Sequence, residues 1–328
     1  MLSVGGRLTL LKSVLGSLGS CYFSMFRAPV SVIKNLENMR ARFFWGMTEY
    51  EKKLQWVKWK LILNDKEKGG LSVGSLSAIN HALVYKWRWR FVNGDQLLWV
   101  KVIKSCHGQH GGFMDGTITS WPRKTGVWNG VVKLVGKLHS DGKIARDSIK
   151  REVNDGRNTR FWTDVWLGQE TLWCRFSRLF HLTRYSDGVV RDFWLDNQWQ
   201  MRWSRQVTGG VAAFQMAQLQ DLLATVEVRD LPDKWRWELN GSLEFSVAAV
   251  RAHLDASTLP NGTRPTRWNR FVPIKINVFA WRVASNRLPT RLNLEQKGID
   301  VDTIMCPKRC VQFYTCSSSS VRLDLTTK

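Results

Sequence analysis

Long apolar runs, regularly spaced cysteines and acidic side chains are all scarce in this chain, and each scarcity removes a class of explanation. No apolar stretch is long enough to cross a bilayer. The most apolar one, LTLLKSVLGSLGSCYFSMF at 8–26, follows Arg7 and is interrupted by Lys12. It repeats Leu8, Leu11, Leu15, Leu18, Tyr22 and Phe26 at three- and four-residue intervals, the period of an amphipathic helix and not of a signal peptide. The six cysteines, at 21, 106, 174, 306, 310 and 316, are too scattered for a disulfide framework. A nuclear or cytoplasmic, non-secreted protein is expected, with no membrane partner. No G-x-S-x-G, Walker loop or H-E-x-x-H occurs, so no independent enzyme is expected on the residues present.

Scarce acid leaves the base uncompensated. Against 27 Asp+Glu stand 49 Lys+Arg, for a net charge of +22 and a pI of about 10.1. Such an excess favours a polyanion, RNA or DNA above all, bound without sequence preference. The excess is uneven: residues 1–110 carry 17 basic and 6 acidic side chains, 111–230 carry 17 and 13, and 231–328 carry 15 and 8. A phosphate-binding surface is therefore expected from the two ends of the chain.

Aromatics are abundant, with 18 tryptophans, many in pairs such as WVKW (56–59), KWRWR (86–90) and KWRWE (234–238). Trp beside Arg can stack nucleic-acid bases. The same alternation also puts Trp on one buried face with charge outward, and that core reading is the preferred one.

The pattern along the chain predicts an α+β protein. Residues 1–106 read as a mostly helical region and 107–120 as a Gly-rich linker. A Trp-rich mixed region of short strands follows at 121–230, then a small α+β unit at 231–307 and a tail at 308–328. A helix is expected over 32–45 with Ile33, Leu36, Met39 and Phe43 inward and Lys34, Arg40 and Arg42 outward. KKLQWVKWKLI (52–62) alternates as a strand, residues 75–92 read as a helix, and Asp95 is a plausible cap for the next one. VNDGRNTRFWTDVWLG (153–168) and VVRDFWLDNQWQMRW (189–203) suit half-buried strands with turns, and DKWRWELNGSLEFSV (233–247) suits a hairpin at Asn240-Gly241. Helices are expected over 210–226, 247–254 and, as a pair, 273–297. Cys106, His107 and His110 lie in the linker, where a flexible loop offers no fixed geometry and no fourth ligand, so no metal is expected there.

In the last helix pair, KINVFAWRVASNRLPTRLNL (275–294) contains no acidic residue. Lys275, Arg282, Arg287 and Arg291 are expected on its polar side, with Ile276, Phe279, Val283, Leu288 and Leu292 buried. Cations so placed can meet phosphate without disturbing a core.

Five blocks, GGRLTLLKSVLGSL, RARFFWG, KEKGGLSVGSLSAIN, DGRNTRFWTDVWLG and KINVFAWRVASNRLPTRLNLEQKGIDVDTIMCP, occur in that order between residue 5 and about 307. Together they resemble the reverse transcriptase polyprotein of plant non-LTR (LINE-type) retrotransposons. The resemblance implies a connection region, comparable to a thumb, leading into a zinc-binding domain, with RNA-directed DNA polymerase as the family activity. It also implies that 275–294 handles nucleic acid.

The family's catalytic carboxylates, set in a Y-x-D-D turn, hold two divalent ions. This sequence has no adjacent Asp pair, and by resemblance it begins downstream of the catalytic palm. A remnant without polymerase activity is expected, the rival being a domesticated nucleic-acid-binding or interaction protein with a host role. The family's zinc pattern, C-P-x-C followed by His and Cys, is incomplete. Cys306-Pro307 matches, Cys310 comes one residue late, Cys316 falls in a Ser-rich stretch, and no His lies beyond His253. The resemblance is expected to end after Pro307. Cys306, Cys310 and Cys316 are the candidate metal ligands, zinc occupancy is not expected from three thiols alone, and no other cofactor is implied.

Overall fold

The computed structural model describes residues 2–301 except 49, 51–52, 95, 109, 114–125, 169, 207–208, 240 and 242. With about 51% helix, 6% strand and sheets of two strands each, the chain is α+β.

Helix α1 (Val4–Leu10) is capped by Ser3, whose hydroxyl accepts from the Gly6 N–H at 3.2 Å. It runs on through one wide turn, Leu11–Leu15, and breaks at Gly16–Gly19 before a short helix, Ser20–Met25. The continuous helix expected over 8–26 is therefore interrupted. Leu8 and Leu11 are buried, whereas Leu18 and Tyr22, beyond the break, are exposed. Two glycines in four residues weaken helical continuity enough for packing to bend the chain there.

Helix α2 (Val30–Trp45) ends at Gly46, whose φ of +64° suits a residue without Cβ. Ile33, Leu36 and Phe43 pack against cores as expected, but Arg40, expected outward, is inside with Ala41, Phe44 and Trp45, and Met39 is outside. Arg40 tolerates burial because Glu37 pairs with it at 3.1 Å and the Gly74 carbonyl accepts from it at 3.3 Å. Glu37 also accepts from the Leu76 N–H at 2.7 Å and the Trp59 indole at 2.8 Å. Paired in this way through its Nη atoms, although its buried Nε has no partner among the described residues, the charge escapes the several kcal/mol that an unpaired one costs. The strand expected over 52–62 is instead an extended segment entering a short helix, Trp59–Leu63. There Ile62 is buried and Trp56 and Trp59 pack against the same core.

Ser75 caps helix α3 (Leu76–Asn93), accepting from the Ala78 N–H at 3.1 Å. This is the central helix. It buries Leu76, Ile79 and Phe91 along one side and Ala78, Ala82, Val84 and Tyr85 on its other sides. Helix α4 (Leu98–His107) starts behind Leu97; Asp95, the expected cap, lies outside the described residues. Helix α5 (Val127–Ser140) follows.

Strand β1 (Ile149–Glu152) pairs antiparallel with β4 (Lys234–Trp237), Ile149 facing Trp237. The hairpin turn expected at Asn240-Gly241 involves Asn240, which lies outside the described residues; Lys234–Trp237 takes a long-range partner. Residues 153–168 form a turn and loop, not a hairpin: Gly156 takes φ +71° and Phe161, Trp162 and Trp166 turn into a core. Between them β2 (Trp194–Leu195) and β3 (Gln198–Trp199) form a tight hairpin. Its turn residues Asp196 and Asn197 both have positive φ, the conformation that two-residue hairpin loops favour. Helices α6 (Gly210–Leu223), α7 (Val247–Thr258), α8 (Ile274–Ala284) and α9 (Arg291–Glu295) complete the fold close to expectation.

Three cores result. One joins α3, α5, β1, β4 and α7 around Tyr85 and Trp237. A second is an aromatic cluster within 161–223. The third joins Leu8, Leu11, Phe44, Trp45 and Ile62 to Val278 and Trp281 of α8. Most paired tryptophans pack in or against these cores, as the core reading of the alternation requires. No helix of the described residues is long and apolar enough to cross a membrane.

Candidate nucleic-acid interface

The third core brings the two basic ends of the chain together. Helix α1 lies against the first turn of α8 so closely that a Cβ on Gly5 would stand 2.7 Å from the Lys275 backbone nitrogen. A bare glycine is what allows the approach.

Helix α8 is anchored on one side by polar groups. Asn277 is buried, accepts from the Asn269 N–H at 2.9 Å and donates to the Asn269 and Val272 carbonyls at 2.8 and 3.1 Å. Trp281 donates to the Gly69 carbonyl at 2.9 Å. The inward face is therefore Asn277, Val278 and Trp281. Ile276, Phe279, Val283 and Leu292, expected inside, are exposed, with Phe279 55% accessible, and Leu288 is half-buried. The helix is apolar on two sides, and the side carrying Trp281, with the larger surface and an indole N–H to satisfy, won the core.

The turn between α8 and α9 is equally well determined. Asn286 adopts φ +51°, and the buried Asn293 amide donates to the Asn286 and Leu288 carbonyls at 3.2 and 2.9 Å. Thr290 caps α9, accepting from the Asn293 N–H at 3.3 Å. On this frame Lys275 and Arg287 are exposed, and Arg282 and Arg291 are half-buried. Arg282 donates through Nε to the Arg287 carbonyl at 3.3 Å. Burial pulls the Arg282 guanidinium below its usual range, although a guanidinium remains charged at neutral pH. No ion pair engages Lys275, Arg282 or Arg287 among the described residues.

Further cations, which local sequence signals did not single out, lie alongside. Arg7 of α1 donates to the Phe44 carbonyl at 2.9 Å and to the Leu2 carbonyl at 2.9 Å. It rests against Gly46, where a Cβ would be 2.7 Å from its Nη1. Lys66 and Lys12 stand 4.1 and 5.8 Å from the centre of the Trp268 ring. Desolvation and then repulsion from Lys66 pull Lys12 down to about 8. Only the charge excess of the N-terminal third pointed towards these residues.

The candidate metal ligands Cys306, Cys310 and Cys316 lie outside the described residues, as do residues 308–328. Among the described residues Cys21, Cys106 and Cys174 form no disulfide, and no group of three His, Cys, Asp or Glu is gathered to hold a metal ion. Three thiols alone fall one ligand short of the four that structural zinc takes.

The packing of α1 on α8 thus brings cations from both ends of the chain into one neighbourhood. Residues 245–316 match the family described as zinc-binding in reverse transcriptase, and the chain is related to the reverse transcriptases of retrotransposons. That match ends at Cys316, so the resemblance reaches beyond Pro307, where the residues alone suggested that it stopped. An Arabidopsis thaliana protein whose name calls it a ribonuclease H protein is 25% identical over 309 residues, 92% of this chain and 48% of its own length. An uncharacterised mitochondrial protein of the same plant is 27% identical over 149 residues, 45% of this chain and 91% of its own. The chain thus spans about half the length of the first of these relatives. No solved structure matches it.

Proposed function

We propose that this chain is the nucleic-acid-holding, non-catalytic C-terminal part of a reverse transcriptase polyprotein, binding RNA or DNA through phosphate contacts without reading sequence. The observation that carries the reading is the meeting of the two basic ends where α1 packs on α8. It gathers Arg7, Lys275 and Arg282 in one neighbourhood. Lys275, Arg282, Arg287 and Arg291 are the proposed phosphate-binding residues. A C-terminal unit beginning near residue 231 is supported by the family match from 245. No polymerising step is assigned to this chain, since the adjacent carboxylates that such a step needs do not occur in it. Zinc is given no role, because its three thiols lack a fourth ligand.

The test is a titration with single-stranded RNA over a range of salt. Affinity should be indifferent to sequence and fall steeply as salt rises. Changing Lys275, Arg282, Arg287 and Arg291 to Glu should weaken binding strongly and flatten the log–log salt slope by about 0.7 for each phosphate no longer neutralised. Equal affinity and equal slope for the two proteins would place the binding surface elsewhere.

A further inference from the structure

Between α1, the end of α2, the extended segment 53–57 and α8 lies an open groove of about 230 Å³. Three cations, Arg7, Lys53 and Arg282, line it together with Trp45, Trp56 and Val278. No acidic side chain of the described residues is in its wall. The groove thus joins positive charge to aromatic surface. Nη2 of Arg7 and both Nη atoms of Arg282 have no hydrogen-bond partner among the described residues, their other nitrogens being the ones that hold backbone carbonyls. The indole Nε1 of Trp45, a residue 91% buried at this wall, has no partner there either.

Resting on the nucleic-acid reading above, we infer that this groove is a single-nucleotide pocket, taking one unpaired base against Trp56 while Arg7 and Arg282 hold its phosphate. Three properties select this ligand. The volume is below the roughly 300–1,000 Å³ of pockets that enclose drug-sized molecules, and so suits one base and not a folded segment. Arg282, whose two Nη atoms have no partner among the described residues, can match two phosphate oxygens at once, and Nη2 of Arg7 adds a further donor. A tryptophan face accepts any base, which gives affinity without sequence preference. Bases in a duplex are stacked on each other and unavailable to Trp56, so the pocket distinguishes single strands from double ones. The groove is built from residues near both ends of the chain and is absent from either end alone.

The experiment compares the intact chain binding two strands of equal charge and length, about twelve uridines and about twelve abasic sugar-phosphates, a length within the site sizes of single-strand binders. The uridine strand should bind at least about fivefold tighter, the smallest gain expected from one stacked base. Trp56→Ala should reduce that ratio to near one while leaving the abasic strand's affinity unchanged. Because Trp56 packs against the core, its variant can fail to fold, so a second measurement uses the unaltered protein. A 5-iodouridine strand is cross-linked by light and the modified peptides are mapped. Adducts at 45–56 or 278–282 support the pocket. Equal affinity for the two strands, or adducts confined to other regions, would overturn the pocket and leave the charge-based reading standing. Failure of both strands to bind at low salt would overturn both.

Discussion

Asp233 shows how one side chain can organise a loop that the sequence marks only as a turn. Its carboxylate accepts from the N–H groups of Asn154, Gly156 and Asn158 at 2.7, 3.0 and 3.2 Å and from the Thr159 hydroxyl at 2.6 Å. Burial alone would raise its pKa, but these four bonds to the charged form outweigh it and hold the group below its ordinary 3.8. A carboxyl depressed in the folded state contributes stability that is complete above its unfolded value and is lost as pH falls through the folded one. Asp233→Ala strands three backbone donors in a partly exposed loop, and should cost about 2 kcal/mol at neutral pH. The gap in melting temperature between variant and parent should then close as pH is lowered below 3.8. A gap that stays constant from neutral pH into that range would show that the carboxylate charge is not what matters.

Among the elements, α1 and α8 decide whether the two basic ends meet. Replacing Gly5 by alanine raises helix propensity by about 1 kcal/mol, so an isolated helix would gain. In the protein the new methyl would meet backbone at 2.7 Å, which cannot rotate away as a side-chain tip can. Overpacking of this kind costs about 1–3 kcal/mol, and the clash should win. Gly5→Ala should therefore lower the melting temperature and weaken RNA binding together, since Arg7 moves with α1. An unchanged or raised melting temperature would mean that α1 does not rest on α8. The charge-reversal and pocket experiments share Arg282, which lines the groove; they differ in that Lys275 and Arg287 lie outside it, whereas Trp56 lies in its wall without being charged.

For the molecule as a whole, the reaction that its relatives' family name suggests should be missing. Primed RNA template, magnesium or manganese and nucleoside triphosphates should yield no template-dependent incorporation above a heat-killed control, because polymerisation requires closely placed carboxylates to hold two metal ions. Incorporation above that control would mean that other carboxylates of this chain assemble such a centre. Binding without synthesis is what the +22 charge and the exposed cations of α8 and the following turn support.

What the sequence determined by itself was local and additive. Serines 3, 75 and 246 each precede a helix and cap it, Asp196-Asn197 turns a hairpin, Gly46 ends α2, and the charge excess names a polyanion. Such signals act within a few residues or by summation, so no knowledge of the rest of the chain is needed to read them. Tertiary structure decided whatever had two locally equal answers. Helix α8 offers apolar residues on both sides, and the partners of Asn277 and Trp281, at Asn269, Val272 and Gly69, chose between them. Lys234–Trp237 alternates equally well for a neighbouring strand or a distant one, and β1 took it. Arg40 reads as a surface residue until Glu37 and Gly74 supply its partners. The groove is the extreme case, since Arg7 and Arg282 become neighbours only through a glycine thin enough for two helices to touch.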